Sequence, residues 1–196
     1  TYAGSNTTLD FDNCTFVQPK TNGLQVITEN GGFTRVDVTN STFNPGPAPT
    51  GAAAIDFDTN NSGDMDFNIV GNTIQGRSIN VINIFAFPNS TFEGRINNNT
   101  VTSLTGGTGS GAGIRVIHQG TSTGNKVEIK NNIVTAINDN GIIVQTGAGT
   151  GRVDATIMGN TVSLTGASGF RAIQASAGTS SDGSTNKLCA NVVSNT

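Results

Sequence analysis

The chain has 196 residues, a formal net charge of −3 and only 12% charged residues. That length suits one domain or one repeat array with a real core. No basic patch suits nucleic acid, and no apolar run approaches the roughly 18 residues of a membrane span. The chain begins at Thr1, which reads as a mature or excised piece without its targeting segment.

A short phrase returns along the chain: Asn13-Cys14-Thr15-Phe16, Asn40-Ser41-Thr42-Phe43, Gly71-Asn72-Thr73-Ile74, Asn98-Asn99-Thr100-Val101, Asn131-Asn132-Ile133-Val134, Gly159-Asn160-Thr161-Val162 and Ala190-Asn191-Val192-Val193. Successive second positions lie 27, 31, 27, 33, 28 and 31 residues apart. A period near thirty, with the slack in loops, predicts the coils of a solenoid.

Each coil opens on a strand in which Phe11, Val38, Ile69, Ile96, Ile129, Ile157 and Leu188 form an inward row three residues before the second phrase position. Leu9, Val36, Phe67, Gly94, Val127, Ala155 and Asn186 form a second such row, and the residues between the two rows are polar. The alternation breaks at the first phrase residue, which is Asn or Gly in six copies. These residues accept a left-handed backbone cheaply, so a one-residue corner is predicted there. Beyond the corner, Asn72, Asn99, Asn132, Asn160 and Asn191 point inward and stack as a hydrogen-bonded ladder. The next strand buries Phe16, Phe43, Ile74, Val101, Val134, Val162 and Val193. The remaining strand carries Leu24-Gln25-Val26, Ile55-Asp56-Phe57, Ile82-Asn83-Ile84, Ile114-Arg115-Val116, Ile142-Ile143-Val144 and Phe170-Arg171-Ala172. The longest loops fall at Asn44–Gly51 and Thr105–Gly113.

With these coils the chain resembles a right-handed parallel β-helix of the pectin-lyase-like superfamily, and in style repetitive bacterial surface and adhesin proteins. The resemblance implies an all-β fold of about six to seven coils across residues 1–196, one domain within a larger protein or assembly. It implies an extracellular or cell-surface setting. That superfamily holds lyases, glycoside hydrolases, tailspikes and adhesins, so fold alone assigns no activity.

Few residues carry chemistry. Asp56, Asp58, Arg115, His118 and Arg171 fall on or beside the outer face of one strand row, where that superfamily's polysaccharide enzymes arrange their sites. Two carboxylates divide acid and base roles in glycoside cleavage, but a complete catalytic set is not present, and His118 reads as a solvated turn residue. Asp58, Asn60, Ser62 and Asp66 are spaced like calcium ligands, but Ile69 stands where a bidentate Glu belongs. A polar turn is the plainer reading, and no cofactor is expected. Phe85, Ile117, Ile143 and Ile173 fall on outward positions and form an apolar contact face. Asp66, Glu93, Lys126 and Asp154 make a charged row, with Arg95 and Glu128 neighbours beside it.

Cys14 and Cys189 sit in the end coils, roughly 29 Å apart at about 4.8 Å per step, too far for a disulfide. They are free thiols or partners of another chain. The open sheet edges at both ends call for covering by like subunits or by flanking coils of a longer chain. The expected function is a non-catalytic structural or adhesive module, with surface carbohydrate as a further partner. The alternatives are a polysaccharide-active enzyme and a carbohydrate-binding spike.

Overall fold

The computed structural model describes residues 5–17, 22–44, 53–76, 80–104, 111–137, 140–165, 170–178 and 185–196. Strands follow one another in threes. They are Asn6–Asp12 (β1), Thr15–Val17 (β2) and Leu24–Thr28 (β3), then Phe33–Thr39 (β4), Thr42–Asn44 (β5) and Ile55–Thr59 (β6). Asp64–Val70 (β7), Thr73–Gly76 (β8) and Asn80–Ala86 (β9) come next, then Thr91–Asn97 (β10), Thr100–Ser103 (β11) and Ala112–Gly120 (β12). The last sets are Asn125–Lys130 (β13), Ile133–Ile137 (β14) and Asn140–Gly149 (β15), then Arg152–Met158 (β16), Thr161–Thr165 (β17) and Ile173–Ala177 (β18). Lys187–Val193 (β19) begins a further turn.

Every third strand pairs in parallel, which gives sheets β1-β4-β7-β10-β13-β16-β19, β2-β5-β8-β11-β14-β17 and β3-β6-β9-β12-β15-β18. The protein is therefore an all-β parallel solenoid. Each six-stranded sheet spans five steps, so about five turns are complete, against the six to seven coils expected. Most of the two longest loops lies outside the described residues.

The corners fall where Asn and Gly predicted them. Asn13, Asn40, Asn98 and Asn131 have φ of 54°, 49°, 58° and 55°, and Gly71 and Gly159 have 71° and 66°. The seven-stranded sheet then leads into the next without a loop. Inside, Val38, Ile69, Ile96, Ile129 and Ile157 stack in one fully buried row and Phe43, Ile74, Val101 and Val134 in another. Phe16 and Val162, nearer the ends, are partly buried against the same core.

The asparagine ladder is present, and every member is satisfied on both sides. Asn72 Nδ2 donates to Asn99 Oδ1 at 3.0 Å, Asn99 to Asn132 at 3.0 Å and Asn132 to Asn160 at 2.9 Å. Each of those Oδ1 atoms also accepts the backbone N–H of the preceding ladder residue, and each Nδ2 also donates to a strand carbonyl. Such pairing lets an amide stay in a dry interior.

The last coil departs from the sequence reading. Asn160 donates to Asn195, not to Asn191, at 2.9 Å. The corner is Ser194, with φ 53°. Ile157 is paired with Val192 and Ala155 with Ala190, so Leu188 and Asn186 do not continue those two rows, and Leu188 pairs instead with buried Val153 and packs against the core. Val193, placed by sequence in the buried row, is 40% exposed. The phrase at Ala190 is a look-alike four residues early. The true one is Ser194-Asn195-Thr196.

Candidate functional site

The residues singled out for chemistry lie on the sheet that holds β6, β9, β12 and β15, but they do not converge. Pairing aligns Gln25, Asp56, Asn83, Arg115, Ile143 and Gln174 in one outward column. Ile27, Asp58, Phe85, Ile117 and Gln145 form the next. The two columns arise because residues two apart on a strand share a face.

Asp56 is held by amides on three sides. Asn22 Nδ2 donates to its Oδ2 at 2.7 Å, Gln25 Nε2 to the same atom at 3.1 Å, and Asn83 Nδ2 to its Oδ1 at 2.8 Å. Asn83 Oδ1 then accepts from Arg115 at 3.2 Å. The column is a cross-coil relay, and Asn83 separates Asp56 from Arg115. The Arg115 guanidinium lies 5.8 Å from the centre of the Phe85 ring. Burial draws it below its ordinary value, against the pull of Asp56.

Asp58 is different. It stands between Ile27 and Phe85. Burial, and then the charge of Asp56, push its carboxyl up to about 6. Phe87, which the sequence reading passed over, is 39% exposed and packs on Phe85 with ring centres 4.4 Å apart. Its signal was visible: Phe85-Ala86-Phe87 continues the outward alternation of β9 into the turn.

Two predicted members of the face are elsewhere. His118 is not a solvated turn residue. It lies inside the solenoid, fully buried between Ala86 and Thr146. Burial drives its imidazole below the ordinary value. Arg171 is exposed in the segment before β18, where it reaches Gln174 at 3.4 Å. The sixth strand begins three residues later than expected, because Ile173, not Phe170, pairs with Ile142. Ile173 is thus an inward residue packed against the core. The apolar contact face keeps Phe85, half-buried, while Ile117 and Ile143 are buried despite their outward register.

The four residues of calcium-like spacing are divided between two strands and the turn that joins them. Asp58 belongs to β6 and Asp66 to β7, in two different sheets, while Asn60 and Ser62 occupy the turn between them. Among the described residues, no group of three or more His, Cys, Asp or Glu side chains is placed to hold a metal ion. The turn is built for the chain: a Cβ on Gly63 would stand 2.5 Å from the Thr28 carbonyl oxygen.

The charged rows lie where expected, on the outer face of the seven-stranded sheet. Asp66, Glu93, Lys126 and Asp154 align in register, and Arg95 is paired with Glu128 beside them. They line an open trough of about 830 Å³ with four acidic and four basic side chains. Its charges are largely matched within the wall. Arg35 meets Asp37 at 2.9 Å, Lys126 meets Glu93 at 3.3 Å, Arg152 meets Asp154 at 2.7 Å, and Lys130 holds Glu128. The hydrogen bond from Lys130 keeps the Glu128 carboxyl below its usual range. Asp66 goes the other way, raised by burial and by Asp64 and Glu93. Exposed pairs of this kind are screened by solvent and contribute little to stability.

Cys14 and Cys189 are both free thiols. No protein family, curated protein or solved structure matches this chain.

Proposed function

We propose that the protein is a non-catalytic structural or adhesive module of the extracellular space or cell surface. The observation that supports this reading is how the outer polar groups are used. Asp56 is tied to three amides and Arg115 to Asn83, and of the trough acids Glu93, Glu128 and Asp154 each meet a base. The Asp56 column and the Lys126–Glu93 pair brace one coil against the next, the other ion pairs join residues two apart on one strand, and little reactive chemistry is left free. Like subunits, flanking coils of a longer chain, and surface carbohydrate are the partners this reading allows. The likeness to the pectin-lyase-like superfamily rests on coil architecture alone. The test is to immobilise the chain and measure retention of cells or cell-wall material, alongside a screen for release of reducing or unsaturated sugar. Retention without turnover supports the reading.

One observation favours a second reading, a polysaccharide-active enzyme. Asp58, raised to about 6, stands two residues from Asp56, which is held by neutral donors. Carboxylates in unlike environments are how acid and base roles divide. Turnover of a polysaccharide that disappears in Asp56→Ala or Arg115→Ala would replace the first reading with this one.

A further inference from the structure

His118 is the single histidine of the chain, and no solvent reaches it. Neither ring nitrogen has a hydrogen-bond partner. It belongs to an inward column that reads Thr59, Ala86, His118 and Thr146 across β6, β9, β12 and β15. The hydroxyls of Thr59 and Thr146 are also buried and unpartnered. From the following turn the backbone closes on the ring. A Cβ on Gly151 would lie 2.3 Å from Cε1 and 2.8 Å from Nδ1.

Among the described residues, no charged group faces the ring. Ala86 and Thr146 meet it from the strands on either side, and Gly151 from the turn. The charged residues of the adjoining strands lie on outer faces: Arg115 reaches Asn83, Lys126 reaches Glu93, Lys130 reaches Glu128 and Arg152 reaches Asp154. An imidazolium here would carry two unmatched N–H donors and an unpaired charge. The backbone beside it is already interrupted. The β12–β15 register shifts between His118 and Gly120, and Gly120 and Gly149 have φ of 142° and 121°.

We propose that His118 makes this corner an acid-triggered latch: protonation in mildly acidic solution opens the adjoining ends of β12 and β15 and exposes the interior and its strand edges. The buried site favours the neutral ring, whose ordinary value is 6.5. The sign follows. The unfolded or opened chain binds the proton more readily than the closed one. Stability is complete above that ordinary value and is lost as pH falls through it. The opening constant is therefore larger at pH 5.5 than at pH 7.5, by at most about tenfold for one proton on an opened ring of ordinary value.

The experiment uses the untagged chain. Hydrogen exchange followed by mass spectrometry compares pH 7.5 with pH 5.5 after correction for intrinsic rates. Peptides from residues 112–120 and 140–149 should lose protection, by up to about tenfold, while peptides from β4 and β7 hold theirs. His118→Leu should abolish that loss. Asp58 titrates with the opposite sign, so the pair is repeated on an Asp58→Asn background. Where His118→Leu fails to fold, the single imidazole resonance of the unsubstituted chain decides. In the latch it stays neutral until the corner opens. Equal protection at both pH values, a loss that persists without His118, or a ring that titrates near 6.5 with protection unchanged would each overturn the latch.

Discussion

Replacing Asn132 by alanine removes the centre of the internal ladder, and the bonds it leaves behind set the cost. Asn132 Oδ1 accepts the backbone N–H of Asn99 at 2.9 Å and the Asn99 side-chain amide at 3.0 Å. Its Nδ2 donates to the Ile96 carbonyl at 2.7 Å and to Asn160 Oδ1 at 2.9 Å. In the alanine variant the Asn99 N–H, one Asn99 amide hydrogen and the Ile96 carbonyl lose these partners. Asn160 Oδ1 keeps the backbone N–H of residue 132, so it is not orphaned. Three buried groups at about 1–3 kcal/mol each, with some relief from water entering the vacated space, give about 3–6 kcal/mol. That is a large part of the roughly 5–15 kcal/mol of a typical domain.

Asn132→Asp refines the test, because it keeps the shape and alters only the donors. One carboxylate oxygen can take the two Asn99 donors. The other faces the Ile96 carbonyl and Asn160 Oδ1, both acceptors. The protonated acid restores one donor, so the native state holds the proton more tightly than the unfolded chain, whose Asp titrates near 3.9. Stability relative to the unsubstituted chain should therefore fall as pH rises from about 4 to 7. Urea unfolding followed by far-UV circular dichroism at both pH values measures it. Asn195→Ala, at the partly exposed end of the ladder, should cost less. An Asn132→Ala variant within about 1 kcal/mol of the parent, or an Asn132→Asp variant with no pH-dependent deficit, would refute the ladder as a source of stability.

The remaining outcomes concern the core, the corner and the outer face. Val134 is fully buried, so Val134→Asp should lower stability by several kcal/mol, read from the denaturation midpoint. Asn131 holds φ at 55°, so Asn131→Val should cost about 1–2 kcal/mol and Asn131→Gly far less. Equal melting of the two would place the strain elsewhere. Asp58, lifted to about 6 from 3.8, favours folding less as pH rises between those values. Asp58→Asn should therefore melt above the parent at pH 7.5, with the gap closing toward pH 4. A constant gap would show that its titration is not the cause.

The uniform rows and the corners were legible because each rests on a rule with one physical solution. Alternation of period two fixes which side chains face inward, and only Asn and Gly take the left-handed turn cheaply. The outer columns were legible as far as the strand register held, which is why Asp56, Asn83 and Arg115 align as read. His118 was misplaced for a different reason. An alternation carried from Ile114 does put it inside, but a lone polar residue beside a Gly/Thr run resembles a turn. The sequence does not say which strand runs long. Here β12 continues to Gly120, past the point where the sheet's first strands end.

The last coil shows how repeat reading fails, and why the failure stays local. Ala190-Asn191-Val192-Val193 matches the phrase in composition, whereas Ser194-Asn195-Thr196 breaks off before the apolar residue that confirms a copy. A composition match weighs both sites by side chain alone. The fold weighs them by what they satisfy: Asn160 needs a carbonyl oxygen one step along the axis, and Asn195 supplies it to both its side chain and its backbone at 2.9 Å. Placing Asn191 there would have started β19 four residues early and shortened the turn before it by as much. A solenoid confines such an error, because each coil contacts only its neighbours. The same property makes the His118 corner a local event. A coil can open at one corner while the coils two steps away keep their own ladders, rows and edges.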